Sequence, residues 1–256
     1  SEVLFGQQAG VDRASAQQQL MVLQSSADYI PQCQYILDYS SSPFAHLVAA
    51  DSLEKLITQY WNNFTVDQKV DIQNYVLNYL GEKGVVVDDF VVVQLAKLTC
   101  RITKLGWFDD LRFRNIVTET TRFLQATIDH HSMGLRILTE LVDEMNNPTN
   151  GRTLTQHRKI AVSFRDHSLY RVFQIAITTL KHLSQEEIQA SEQQQLKIGE
   201  LALKLATKCL SFDFIGTNPD ESAEDIGTVQ VMQIGSHFAC AFCSFARTRC
   251  RVHGNP

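Results

Sequence analysis

Apolar residues recur every three to four positions along most of the chain, which predicts a succession of α-helices. A clear helix runs from 43 to about 60, because Ser42 and Pro43 are a typical N-cap and first helical residue. Thr65 and Gln68 have capping-box spacing and predict the start of the next helix, which ends near 81–84. The helix from 43 is predicted to bury Phe44, Leu47, Val48, Leu53, Leu56, Ile57 and Tyr60.

Residues 85–93, V-V-V-D-D-F-V-V-V, have the composition of a β-strand. They continue without a break into residues 94–105, where the apolar period is helical. We therefore predict a helix that begins at about Asp88, with a short strand as the alternative.

The segment Arg101–Asn115 has the features of a turn between two helices. Gly106 is predicted to end the first helix in the left-handed conformation, which glycine adopts without strain. Asp109 is predicted to cap the second helix, and Asp110 suits its first turn. These features indicate packing, since none of them forms a catalytic constellation.

The remaining apolar periods predict helices at about 11–24, from Ser26 to 39, and at 111–128, 131–146, 154–165, 167–183 and 192–211. Successive pairs begin near 26, 65 and 111, a spacing within the repeat length of HEAT or armadillo arrays. Such pairs bury their apolar faces by stacking on one another. The predicted fold is therefore all-α, a right-handed α-solenoid (ARM/HEAT superhelix) of about five HEAT-like antiparallel helix pairs.

Composition narrows the classes of partner. Hydrophobic residues make up 44% of the chain, enough for a packed core, and the formal net charge is −5. Residues 232–256 contain three arginines and no acidic residue, so residues 1–231 carry −8. This acidic balance argues against general nucleic-acid binding and against anionic membranes, and it favours basic partners.

The cysteines divide into two groups. Cys33, Cys100 and Cys209 fall on apolar helical faces and are predicted to be buried, reduced thiols. Near the C-terminus, C-x-x-C at 240–243 and C-x-x-H at 250–253 have spacings that can bind zinc, and the alternative is that the cysteines occur there by accident. No phosphate loop, nucleophile elbow or zinc-protease motif is present, so we expect no catalytic activity and no cofactor.

Two further groups of residues have a possible chemical role. His130 and His131 are predicted to open a helix rather than to bind a metal. The basic residues at 157–159 and at Arg165 could bind a phosphate, but we predict that Arg165 and Asp166 form ion pairs with other helices. The acidic segment 220–225 is either a surface loop or a competitor for basic ligands.

Several segments resemble one protein family. They are D-I-Q-N-Y-V-L-N-Y-L (71–80), R-I-T-K-L-G-W-F (101–108), T-R-F-L-Q (121–125), H-R-K-I-A-V-S-F-R-D (157–166), C-L-S-F-D-F-I-G-T (209–217), D-E-S-A-E-D (220–225) and G-T-V-Q (227–230). In order and with few gaps over residues 2–231, they resemble the N-terminal part of nuclear export receptors of the importin-β, or karyopherin, superfamily. After Gln230 the chain departs from the family's pattern, so we expect residues 1–231 to form an N-terminal HEAT-repeat region and residues 232–256 to be a divergent tail that is not native to the fold.

The resemblance implies a function. Its members are HEAT solenoids that bind the GTPase Ran in its GTP form, carry protein cargo out of the nucleus and pass through the nuclear pore. It thus implies Ran, cargo and nuclear pore proteins as partners, and a location in both nucleus and cytoplasm. A Ran-independent HEAT scaffold that organises a protein complex is the alternative.

Four carboxylates are the candidate Ran-facing residues. Asp51 and Glu54 lie one turn apart on the helix from 43, which places both on one face. In this superfamily the second helix of each N-terminal pair faces the partner. We therefore expect Asp51, Glu54, Asp88 and Asp89 to present negative charge to basic parts of Ran, with a solvated helix face as the alternative.

Overall fold

The computed structural model describes residue 18 and residues 20–212. Residue 18 and residues 20–23 are helical. The α-helices that follow are α1 (Ile30–Tyr39), α2 (Pro43–Tyr60), α3 (Val66–Lys83), α4 (Asp89–Gly106), α5 (Ile116–Gln125), α6 (Ile128–Asn146), α7 (Leu154–Phe164), α8 (Tyr170–Ser184) and α9 (Glu192–Leu210). Short 3-10 helices cover Ala27–Tyr29, Trp61–Asn63 and Leu111–Asn115. No β-strand occurs among the described residues, which confirms the predicted all-α class. The alternative of a strand at 85–93 is wrong, because these residues form a turn and the first turns of α4.

Local side-chain hydrogen bonds fix where several helices begin. Gln68 N–H donates to Thr65 Oγ1 at 3.3 Å, and Thr65 N–H donates to Gln68 Oε1 at 2.9 Å, which confirms the predicted capping box. The same reciprocal pair opens α7 at Thr153 and α9 at Ser191. Ser42 lies at the N-cap of α2 with Pro43 next to it, as predicted, although its side chain makes no capping bond.

The chain divides into two compact units, residues 1–116 and residues 117–256. In the first unit α1 packs against α2, α3 against α4, and α2 against α4. Hydrogen bonds from the Tyr79 hydroxyl to the Leu37 carbonyl (3.0 Å) and from the Tyr75 hydroxyl to the Gln34 carbonyl (3.2 Å) join α3 to α1. The first helices of the two pairs therefore form one layer and the second helices another, which is the arrangement of HEAT-like pairs.

The second unit repeats this arrangement. α9 packs against both α8 and α6. Arg171 on α8 donates to the Thr118 hydroxyl on α5 at 3.0 Å, and Lys208 on α9 pairs with Asp143 on α6 at 2.8 Å. First helices thus contact first helices, and second helices contact second helices. The first helix of the last pair is longer than predicted, because a π-helical turn, Arg165–Leu169, joins α7 and α8 where the sequence predicted two separate helices.

The turn after α4 differs from its prediction. Gly106 lies inside α4 and the C-cap Trp107 has φ −50°, so no left-handed residue ends this helix. Glycine is needed at 106 for space instead: a Cβ there would lie 2.5 Å from the Phe113 ring. Asp110, not Asp109, caps the following 3-10 helix by accepting from the Arg112 N–H at 2.8 Å.

Two other predictions about burial have clear outcomes. Phe44 was expected in the core but is 40% exposed, because it lies at the first turn of α2 beside the α3–α4 turn. Cys33, Cys100 and Cys209 are buried free thiols, as predicted. Burial raises the pKa of Cys33 to about 11 and that of Cys209 to about 12, so both stay protonated near neutral pH.

Across the described part of the chain, no helix has the length and apolar character required to cross a bilayer. The possible zinc ligands at 240–253 and the acidic segment 220–225 lie outside the described residues.

Candidate partner interface

The four candidate carboxylates lie on α2 and at the start of α4, the second helices of adjacent pairs. Phe44 in the first turn of α2 stacks on Phe90 in the first turn of α4, with ring centroids 6.0 Å apart. Further along, Glu54 on α2 contacts Arg101 on α4. Because the contacts follow the same order along both helices, α2 and α4 run parallel and their N-terminal ends lie together.

Asp51 is half-exposed and is paired within its own helix. Its Oδ2 accepts from Lys55 Nζ at 2.8 Å and from Gln24 Nε2 at 3.4 Å. The Asp51 side chain is 40% exposed and the Lys55 side chain 55% exposed. An exposed pair of this spacing contributes little to stability, so Asp51 can exchange its partner at low cost.

Glu54 connects the two helices. Its Oε2 accepts from Gln94 Nε2 at 2.8 Å and its Oε1 lies 3.6 Å from Arg101 Nη2. Only 22% of its side chain is exposed. The Asp143–Lys208 pair joins α6 to α9 in the same way, so an acid on one second helix and a base on the next is a recurring tie between repeats. Glu54 is therefore less available to a partner than its sequence position suggested.

Asp88 and Asp89 are the most accessible of the four. Asp88 is the N-cap of α4 but its side chain makes no capping bond, and Asp89 is the first residue of the helix. Both residues are exposed. Negative charge at a helix N-terminus interacts favourably with the helix dipole, so this is a suitable place for two carboxylates.

An apolar patch accompanies these two carboxylates, and sequence reasoning missed it. Val85 is 43% exposed, Val86 82% and Phe90 40%, so exposed apolar side chains lie on both sides of the Asp88–Asp89 pair. The predicted helical period assigned Phe44 to the core face of α2, and no burial was predicted for Phe90. The position of both residues in the first turn of a helix, at the edge of the packed layer, was the signal that could have revealed the patch.

The other predicted groups make contacts within the fold. His130 Nδ1 lies 2.7 Å from the Thr127 hydroxyl at the start of α6, as expected of a residue that opens a helix. His131 bridges the Leu124 carbonyl (3.0 Å) and the Thr179 hydroxyl (3.3 Å). Asp166 Oδ1 accepts from the neighbouring Arg165 Nε at 2.7 Å, so these two residues pair with each other at the start of the π-helical turn. That Arg165 and Asp166 also form ion pairs with other helices stays a prediction.

Comparison with known proteins supports the resemblance read from the sequence. Residues 16–82, which include α1, α2 and most of α3, match the importin-beta N-terminal domain family. Exportin-7-B of Xenopus laevis is 40% identical over 223 residues, which are 86% of this chain and 20% of that protein. Ran-binding protein 17 of Mus musculus is 38% identical over 224 residues, and Ran-binding protein 16 of Drosophila melanogaster is 36% identical over 228 residues, each again with 86% and 20% coverage.

The predicted resemblance to exportin-7 and the predicted fold class are therefore confirmed. Residues 16–82 match the importin-beta N-terminal domain family within a stretch similar to exportin-7 and to Ran-binding proteins 16 and 17, and the chain spans about a fifth of the length of these relatives.

Proposed function

We propose that this chain is the N-terminal part of a nuclear export receptor related to exportin-7. It binds Ran in its GTP form and carries protein cargo from the nucleus to the cytoplasm through the nuclear pore, so it resides in both compartments. The observation that carries the proposal is the 36–40% identity, over 86% of the chain, to proteins named for export and for Ran binding. The chain acts by binding, with no chemical step of its own.

The proposed Ran-facing surface is the layer of α2 and α4 with its carboxylates. Asp88 and Asp89 provide exposed negative charge, and Asp51 adds to it from the middle of α2. Glu54 lies in the same layer but is held by Gln94 and Arg101, so it contributes mainly by keeping α2 and α4 in register. Carboxylates of this kind attract a basic partner and orient it, and their effect weakens as salt increases.

The first experiment compares binding of the 256-residue chain to Ran loaded with GTP and to Ran loaded with GDP. A strong preference for the GTP form supports the proposal. Binding that does not depend on the nucleotide, or no binding, contradicts it and favours a Ran-independent HEAT scaffold that organises a protein complex.

The second experiment locates the surface by reversing charge. Asp88→Lys with Asp89→Lys should weaken binding of Ran-GTP severalfold at low salt and less at high salt, because exposed charges are screened. The matched control is Asp67→Lys with Asp71→Lys, two exposed carboxylates in the first turns of α3, in the other layer of the unit. Equal effects of the two double variants would remove α4 from the interface.

Asp51→Lys with Glu54→Lys requires a stability measurement beside the binding measurement. A lysine at 54 would face Arg101 in place of the present carboxylate, which lies 3.6 Å away. The double variant should therefore lower both affinity and stability, since it removes a tie between α2 and α4. Unchanged affinity would exclude these two residues from the interface.

The division of the chain at residue 231 is also part of the proposal. We assign residues 1–231 to the HEAT-repeat region and residues 232–256 to a tail outside it. Deleting the tail should leave Ran-GTP binding unchanged. Zinc at about one ion per chain, lost on deletion, would instead support a metal site formed by the cysteines and histidine of the tail.

A further inference from the structure

The apolar patch consists of Val85, Val86 and Phe90. All three side chains are exposed, at positions where polar side chains would also be tolerated. Exposed apolar residues are ordinary when they are scattered, but here three occur within six residues. Val86 leaves 82% of its surface in solvent because it sits in the α3–α4 turn, where its backbone N–H donates to the Lys83 carbonyl at 3.0 Å. The backbone alone therefore fixes Val86, and its side chain is not required by the turn.

The Phe90 ring is held in place although it is exposed. It stacks on Phe44 at 6.0 Å with an angle of 24° between the rings, and this contact joins the first turns of two successive second helices. A side chain held in one position loses little conformational entropy when a partner covers it. Rigid aromatic residues of this kind are frequent among the residues that dominate binding energy.

Charge and apolar surface occur together at this point. Asp88 and Asp89 interrupt the patch and are exposed with it. A complementary partner segment would present an apolar side chain to Phe90 and Val86, and Lys or Arg side chains to the two carboxylates. Neither nucleic acid nor an anionic membrane offers this combination, because both would be repelled by the carboxylates.

We infer that the apolar patch is the anchor of the Ran-facing surface, and that it receives an apolar side chain of the GTPase flanked by basic residues. The inference rests on the proposed function and extends it from charge attraction to a specific contact. The carboxylates speed encounter and set the salt dependence, and the patch slows dissociation through contact that salt does not screen.

The test measures the affinity of the full 256-residue chain for Ran-GTP with Phe90→Ala and, separately, Val86→Ser. We expect about a tenfold loss for Phe90→Ala and about a threefold loss for Val86→Ser, as burial of aromatic and aliphatic surface implies. The ratio to wild type should stay the same from low to high salt, whereas the ratio for the Asp88/Asp89 double lysine variant should shrink.

Phe108→Ala is the matched control, because Phe108 is 55% exposed and lies beyond the opposite end of α4. It should leave affinity unchanged. Val86→Ser should fold as the wild type does, because a side chain so exposed contributes little to the stability of the folded state. Thermal unfolding of each variant verifies that a loss of affinity does not come from misfolding.

The outcomes separate the two proposals. Loss of affinity for Phe90→Ala and Val86→Ser, with Phe108→Ala unchanged, supports the inference. Wild-type affinity of both patch variants, while the Asp88/Asp89 double lysine variant binds weakly, overturns the inference and leaves the proposed function standing. No nucleotide-dependent binding by the wild-type chain overturns both.

Discussion

Asp109 ties the turn after α4 to the preceding repeat, and its removal gives a sharp test of how unit 1 is held together. Its Oδ2 accepts from Lys69 Nζ at 2.7 Å and from the Trp61 indole N–H at 3.0 Å. The Lys69 side chain is only 9% exposed, and its ammonium also lies 4.7 Å from the centre of the Trp61 ring. One carboxylate thus neutralises a nearly buried cation and satisfies a buried indole.

Asp109→Ala leaves both donors without this acceptor. Removing one partner of a buried ion pair costs about 3–5 kcal/mol, but a third of the Asp109 side chain is exposed and water screens part of the interaction. We therefore expect a loss of about 2–3 kcal/mol in the free energy of unfolding. Lys69→Met removes the buried charge, so Asp109→Ala in that background should cost only about 1 kcal/mol, which represents the indole bond.

Urea unfolding followed by tryptophan fluorescence measures this directly. The chain has two tryptophans, Trp61 and Trp107, and both are buried in unit 1. Asp71→Ala is the control, because Asp71 is exposed on α3 and should change stability by less than about 0.5 kcal/mol. A loss below 0.5 kcal/mol for Asp109→Ala, or equal losses in the wild-type and Lys69→Met backgrounds, would refute the reasoning.

Two further predictions concern packing and pH. Gly106→Ala should destabilise the chain by about 1–3 kcal/mol, because the new Cβ would lie 2.5 Å from the buried Phe113 ring; wild-type stability in urea unfolding would show that the ring moves freely. Burial lowers the pKa of His131 below its ordinary 6.5, so the unfolded chain takes up this proton more readily. Stability should be complete above about pH 6.5 and fall as the pH drops through 6.5 towards the lowered pKa, and His131→Gln should reduce this slope in urea titrations at pH 5.5 and 7.5. An unchanged slope would assign the pH dependence to other groups.

The sequence determined the elements that depend on neighbours along the chain. The capping box at Thr65 and Gln68 is made by residues three positions apart, so its geometry is local and was predicted correctly. The helix beginning near Asp88 was likewise predicted, because the apolar period after residue 94 outweighed the valine-rich composition before it. The spacing of the predicted helices likewise predicted helix pairs, because it is a property of positions along the chain.

The tertiary structure decided everything that depends on distant residues. Asp109 has the sequence position of a cap, but its partners Trp61 and Lys69 lie 48 and 40 residues away. From the sequence alone, Glu54 is indistinguishable from a solvated charge, but in the structure α4 places Gln94 and Arg101 against it. Phe44 has the period of a core residue, yet it is 40% exposed at the start of α2. Periodicity shows which face of a helix is apolar. How much of that face is buried depends on the position at which the neighbouring helix ends, and only the tertiary structure gives that position.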